Sequence, residues 1–141
     1  MDTRRITTYI NDISELLTTT TDAIWDYAET AFEEFKSVAL LKKILAENGF
    51  SLTERIGGID TAFAASYGEG APHIGILAEY DALSAMSQKP GTPVREEAVP
   101  GGNGHGCGHN LFAGASLGAA LALARFSVQT LRVLAPVRRM G

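Results

Sequence analysis

His73-Ile74-Gly75-Ile76-Leu77-Ala78-Glu79-Tyr80-Asp81 is a short, nearly continuous apolar run that ends in two carboxylates. Without alternation of polar and apolar residues, the part from His73 to Ala78 reads as a strand buried on both faces, at the centre of a sheet covered by helices. The acids at its end, Glu79 and Asp81, fall where open α/β sheets gather ligands, beyond the carboxyl ends of strands. Upstream, Gly68-Glu69-Gly70-Ala71-Pro72 is a turn. Before it, Phe63, Ala65 and Tyr67 alternate with Ala64 and Ser66, the pattern of a half-buried strand.

Farther upstream the period changes to that of helices. Ile6, Tyr9, Ile10, Ile13, Leu16 and Leu17 mark one apolar face over residues 4–17. Thr18-Thr19-Thr20-Thr21 is poor helix material and predicts a break, with Asp22 as N-cap of a new segment. Ile24, Tyr27, Ala28 and Ala31 carry that segment; from Phe35, Val38, Leu41, Ile44 and Leu45 carry another. Lys42 and Lys43 are expected near its end, complementing the helix dipole, and Asn48-Gly49 is a stop signal. Downstream, residues 84–104 form a long polar loop with Pro90, Pro93 and Pro100, residues 111–126 a buried helix, and residues 130–134 a last short strand. This order predicts an α/β fold with a central sheet.

A length of 141 residues allows one domain. Twelve basic against sixteen acidic residues, with no basic stripe, argue against a nucleic-acid partner. No apolar run is long enough for a bilayer, and the first residues lack a signal-peptide h-region. The single cysteine, Cys107, suits a reducing compartment, so a cytoplasmic location is expected.

The sharpest chemical feature is Gly101-Gly102-Asn103-Gly104-His105-Gly106-Cys107-Gly108-His109-Asn110, which holds two of the three histidines and the only cysteine. In an extended segment His105, Cys107 and His109 would all point the same way. Imidazole and thiolate suit Zn²⁺ and other divalent transition metals. A structural zinc site needs four protein ligands, so a catalytic site completed from elsewhere fits better. A flexible glycine loop with incidental histidines remains open on composition alone. Other motifs fail: no Lys-Ser/Thr closes the glycine run, no G-x-G-x-x-G occurs, and Gly114-Ala115-Ser116-Leu117-Gly118 lacks the strand before it and the histidine after it that a nucleophile elbow requires. Trp25 and Tyr27 read as core and helix-face residues, His73 as the start of a buried strand, and Glu33-Glu34 and Glu96-Glu97 as solvated pairs.

Three stretches carry a family resemblance. Ile24 to Ser37 is similar to the entry helices of the zinc-dependent peptidase/amidohydrolase family, which holds aminoacylases, carboxypeptidases and auxin-conjugate hydrolases. Gly75 to Leu83 resembles its central strand and Asp-Ala-Leu turn, and Gly101 to Gly114 its metal segment. The branch it most resembles is the p-aminobenzoyl-glutamate hydrolase B-subunit type, which Asn110 favours. The resemblance implies a three-layer metallopeptidase-like catalytic domain with a central mixed sheet, incomplete here, and residues 1–141 as its N-terminal part without the lid and dimerisation domain. It implies Cys107 and His109 as metal ligands, Asp81 as the acid that orients the site, and Glu79, His105 and Asn110 around it. It further implies a divalent metal, zinc or manganese, two per complete site, and hydrolysis of N-acyl or N-aroyl amino acids, small molecules, by relatives that are homo-oligomers when complete. The family's general base and another ligand are consecutive glutamates after the strand matching residues 130–134. At that place stands Pro136-Val137-Arg138-Arg139-Met140-Gly141; the genetic code permits the encoding GTG CGA AGA ATG GGN from Val137, in which the loss of one nucleotide would read Cys-Glu-Glu-Trp. The expectation is therefore an amidohydrolase by family whose isolated 141 residues are inactive; the alternative is a partner-dependent metal-binding module.

Overall fold

The apolar stripe of residues 4–17 belongs to two helices, α1 (Thr3–Asp12) and α2 (Ser14–Tyr27), which meet at Ile13. The computed structural model describes residues 3–126 and 130–135, so the expected reading of the tail from Val137 lies outside the described residues. The threonine run does not break α2, and Asp22 sits inside the helix rather than capping it. The Thr18, Thr19 and Thr20 hydroxyls donate one turn back, to the carbonyls of Ser14 (3.0 Å), Glu15 (2.7 Å) and Leu16 (2.7 Å), so they are satisfied within the helix, although such back-bonding does not itself favour it. Packing finishes the argument. Thr20 and Ile24 are buried, and a Cβ placed on Gly114 of the last helix would lie 2.2 Å from Thr21 Cγ2, so the two helices approach closely here.

Helix α3 (Phe35–Glu47) starts where the Glu29 carboxylate accepts from the backbone N–H groups of Lys36 and Ser37, both at 2.9 Å, and from the Ser37 hydroxyl at 2.8 Å. It ends at Asn48 and Gly49, the latter at φ 83°, as the stop signal predicts. The lysines do not complement its dipole: no basic residue occupies the last turn, Lys42 pairs with Glu54, and Lys43 with Glu47.

Four strands, β1 (Ser51–Glu54), β2 (Phe63–Tyr67), β3 (His73–Leu77) and β4 (Thr130–Ala135), form one mixed sheet in the order β1-β2-β4-β3. β1 and β2, and β2 and β4, pair antiparallel; β3 and β4 pair parallel, with His73 opposite Thr130 and Leu77 opposite Leu134. The α/β class is as expected, but two strand environments are exchanged. β2, expected half-buried, is buried at Phe63, Ala64 and Ala65 because it lies between β1 and β4. β3, expected at the centre, pairs only with β4 among the described residues and alternates between exposed and half-buried positions; Leu77 is 57% exposed and His73 is exposed. Its apolar run reported hydropathy, not position in the sheet.

The helix α4 (His109–Phe126) packs on α2 and on the sheet, and α3 on β1 and β2. Ile24, Leu45, Phe63, Leu117, Leu121 and Val133 meet in the core between them. Ser116 lies inside α4 and its hydroxyl donates to the Leu77 carbonyl at 2.8 Å, a clasp between helix and β3 rather than a nucleophile elbow.

Candidate metal centre

Beyond the end of β3 the chain is stitched down residue by residue. Ala82 N–H donates to the Glu29 carbonyl (2.7 Å), and Leu83 exchanges two backbone hydrogen bonds with Gly104 (2.9 and 3.0 Å). Just before them Tyr80 turns inward, 2% exposed, and its hydroxyl donates to the Thr61 carbonyl. Its neighbour Asp81 is buried and Glu79 half-buried, and both face His109.

The segment carrying His105, Cys107 and His109 is not extended. Gly108 N–H donates to the His105 carbonyl at 3.0 Å, closing a turn, and α4 begins directly after it. The three side chains therefore diverge, against the alternation expected from the sequence. His105 points inward: it is 5% exposed, its Nε2 lies 2.9 Å from the Ile24 carbonyl, and its ring stands 6.2 Å from that of Trp25. Nε2 must be the protonated nitrogen, since a carbonyl can only accept. Burial pulls its pKa below the ordinary value, so the ring is held neutral. Cys107 is exposed at the turn.

His109, at the first position of α4, faces the two acids. Its Nδ1 is 2.7 Å from Asp81 Oδ1 and its Nε2 is 3.1 Å from Glu79 Oε2. All three ligand atoms lie within 4.8 Å of one another. In neutral His109, Nδ1–H donates to Asp81, and the Nε2 lone pair projects beside the Glu79 carboxylate. One nitrogen and one carboxylate oxygen thus converge, with a second carboxylate fixing the tautomer: the donor chemistry of a divalent transition-metal site. Asn110 is buried and turned away, its amide donating to the Thr21 carbonyl at 3.3 Å, where it braces α4 against α2.

Two residues near the site escaped sequence reasoning. Glu29 spans the start of α3 and, through its carbonyl, Ala82. Glu34, read as half of a solvated pair, is fully buried; among the described residues no well-formed hydrogen bond reaches its carboxylate, and the Thr61 hydroxyl and nearby backbone N–H groups only partly offset its burial. Burial, with the Asp81 charge adding to it, raises its pKa above the ordinary carboxylate value. Glu33, Glu34, Glu96 and Glu97 look alike as adjacent acids, and nothing local in the sequence marks Glu34 as the buried one.

No family model matches the chain. Individual relatives do. It is 47% identical over 108 residues to the B subunit of p-aminobenzoyl-glutamate hydrolase of Escherichia coli (strain K12), covering 77% of this chain and 22% of that protein. It is 37% identical over 99 residues to N-acetyl-L-cysteine deacetylase of Bacillus subtilis (strain 168), covering 69% of this chain and 23% of that one. Its fold matches that of a dinuclear metal-binding peptidase of the M20 family from Bacillus subtilis with a TM-score of 0.73 at 22% identity, over 88% of this chain and 35% of the other. The chain is homologous to these two hydrolases over 77% and 69% of its own length and shares its fold with an M20 peptidase. It spans less than a quarter of the length of these two curated relatives. Among the described residues no helix is long and apolar enough to cross a membrane.

Proposed function

We propose that this chain is the N-terminal part of the catalytic domain of a metal-dependent amidohydrolase that acts on N-acyl or N-aroyl amino acids, p-aminobenzoyl-glutamate among them. The observation that carries the reading is the Glu79–His109–Asp81 cluster at the end of β3, with His109 Nδ1 2.7 Å from Asp81. The kinship to the B subunit of p-aminobenzoyl-glutamate hydrolase supports the substrate class. His109 is assigned as a ligand, with Glu79 beside it and Asp81 as the positioning acid; Cys107, exposed on the turn and outside this cluster, is assigned on the family resemblance alone. Zinc and manganese both suit imidazole and carboxylate, and a thiolate favours zinc. The unpaired Cys107 supports a reducing, cytoplasmic setting.

In the reaction, water adds to the acyl carbon and the amide C–N bond breaks, giving a carboxylic acid and a free amine. A divalent ion at His109 would polarise the carbonyl and acidify a bound water. Asp81 holds His109 with its lone pair outward, and the turn at Gly108 sets the ring at the mouth of the site. Residues 98–141 contain neither Asp nor Glu. A general-base carboxylate is worth roughly 10²–10⁴-fold, so the 141 residues alone should turn over little, and metal binding is the sharper test.

Protein stripped with chelator and titrated calorimetrically with Zn²⁺ or Mn²⁺ should bind metal. That binding should vanish in His109→Ala and weaken about 10–100-fold in Asp81→Asn, the usual effect of losing a partner behind a metal-bound histidine. Binding indifferent to both His109→Ala and Cys107→Ala would overturn the assignment.

A further inference from the structure

Trp25 is the one tryptophan of the chain, and it lines a cavity of about 340 Å³ together with Ala85, Met86, Ser87, Gln88, Arg95 and Gly106. The volume lies at the lower end of small-molecule sites. The cavity opens beside the turn that carries Cys107, since Gly106 forms part of its wall. It is built by close contact: a Cβ on Gly106 would lie 2.6 Å from Met86 Cε, so the thioether lies directly over that glycine. Ala85, in the same wall, is held at φ 56°, a left-handed conformation that a non-glycine residue adopts only where its surroundings impose it.

Two polar side chains of this wall are used within the loop. Gln88 donates to the Val94 carbonyl (2.8 Å) and accepts from Glu96 N–H (3.1 Å), so its amide is used within the loop. Ser87 Oγ accepts from Val99 N–H at 3.0 Å. Arg95 is different. Its side chain is 84% exposed and pairs with Glu97 only loosely, at 3.8 Å, an ion pair too long to be a hydrogen bond and open to displacement by a ligand carboxylate. The lining thus offers an indole face, a thioether and one guanidinium, and no acid. Indole and thioether favour a flat aromatic ring, and a guanidinium favours a carboxylate.

We propose that this cavity binds the N-aroyl amino acid itself, the aromatic ring against Trp25 and Met86 and the amino-acid carboxylate on Arg95. This rests on the hydrolase reading above and adds to it the residues that select an aroyl over a small acyl group. Gly106 then sets the distance between ring and metal turn, because a side chain there would push Met86 into the cavity.

The test is run on metal-free protein in chelator, so that it does not depend on the metal centre. N-benzoyl-glutamate is titrated against Trp25 fluorescence, with calorimetry as a second readout. Saturable binding is expected, weakened about tenfold or more in Arg95→Gln, the worth of one charge-assisted hydrogen bond. N-acetyl-glutamate, which lacks the ring, and benzamide, which lacks the carboxylate, should each bind at least about tenfold more weakly. Arg95 is exposed, so its replacement should leave the circular dichroism spectrum unchanged. No binding of N-benzoyl-glutamate, or equal binding by Arg95→Gln or of N-acetyl-glutamate, overturns the proposal. Any of these outcomes with metal binding still lost in His109→Ala would leave the hydrolase reading standing and sink the cavity alone.

Discussion

Replacing Gly104 by alanine should unfasten the floor of the metal centre. The added Cβ would stand 2.2 Å from the Met86 carbonyl oxygen, 2.7 Å from the Met86 carbonyl carbon and 3.1 Å from Ser87 Cα. All three are backbone atoms, so no side-chain rotation relieves the clash. The two segments must part by about 1 Å, the scale at which overpacking becomes costly. Three backbone hydrogen bonds span that gap: Leu83 to Gly104, Gly104 to Leu83, and Ser87 to Gly102, at 2.9, 3.0 and 2.9 Å. Losing most of them at about 1 kcal/mol each, or holding them under strain, gives an expected destabilisation of about 2–4 kcal/mol. Urea unfolding followed by circular dichroism measures it, and a Zn²⁺ titration should show weaker binding in parallel, because Asp81 and His109 approach each other across this seam. Gly75→Ala is the control. A Cβ there meets nothing within 4 Å, and the change should be neutral or slightly stabilising. A Gly104→Ala midpoint indistinguishable from that of Gly75→Ala would refute the reasoning.

Glu34 and Glu29 make contrasting cases. Because the pKa of buried Glu34 is raised above its ordinary 4.5, the folded state holds the proton more tightly than the unfolded one; its contribution is complete below about pH 4.5 and is lost as pH rises through the raised value. Glu34→Gln should remove this loss, so its stability advantage over the parent chain grows as pH rises from about 4.5; parallel pH–stability curves would exclude it. Glu29→Ala deletes three hydrogen bonds at the start of α3 and should cost about 1–3 kcal/mol by urea unfolding. A cost under about 0.5 kcal/mol would show that water replaces the cap.

What the sequence revealed depended on how local the determining interaction is. The stop at Asn48-Gly49, the small-residue helix before Phe126 and the acids after β3 are local signals, and each stands where the residues say. In β1 only Leu52 is apolar, too little to announce a strand from sequence; β2 offers it a ladder. The continuity of α2 through four threonines is a tertiary effect, decided by the fit of Gly114 against Thr21. The pairing of Asp81 with His109 bridges 28 positions, and family resemblance, not spacing, brought those residues together beforehand. The turn that sends His105 inward and leaves Cys107 exposed is closed by one hydrogen bond donated by the Gly108 N–H to the His105 carbonyl, which an alternating G-x-G-x pattern does not disclose.

The strand order also fixes a sequence of events during folding. β4 lies between β2 and β3 yet is the last of the four along the chain. Until it arrives, β1 and β2 can zip as a local antiparallel pair, while β3 has none of the described strands to join. The parallel pairing then requires α4 to be laid down first, so the loop-closure entropy falls due before the contacts that offset it. With respect to the described strands, a nascent chain would therefore carry β3 and the acids after it unpaired until β4 slots in. The residues of the metal centre, though contiguous with β3, are then among the last to acquire their geometry.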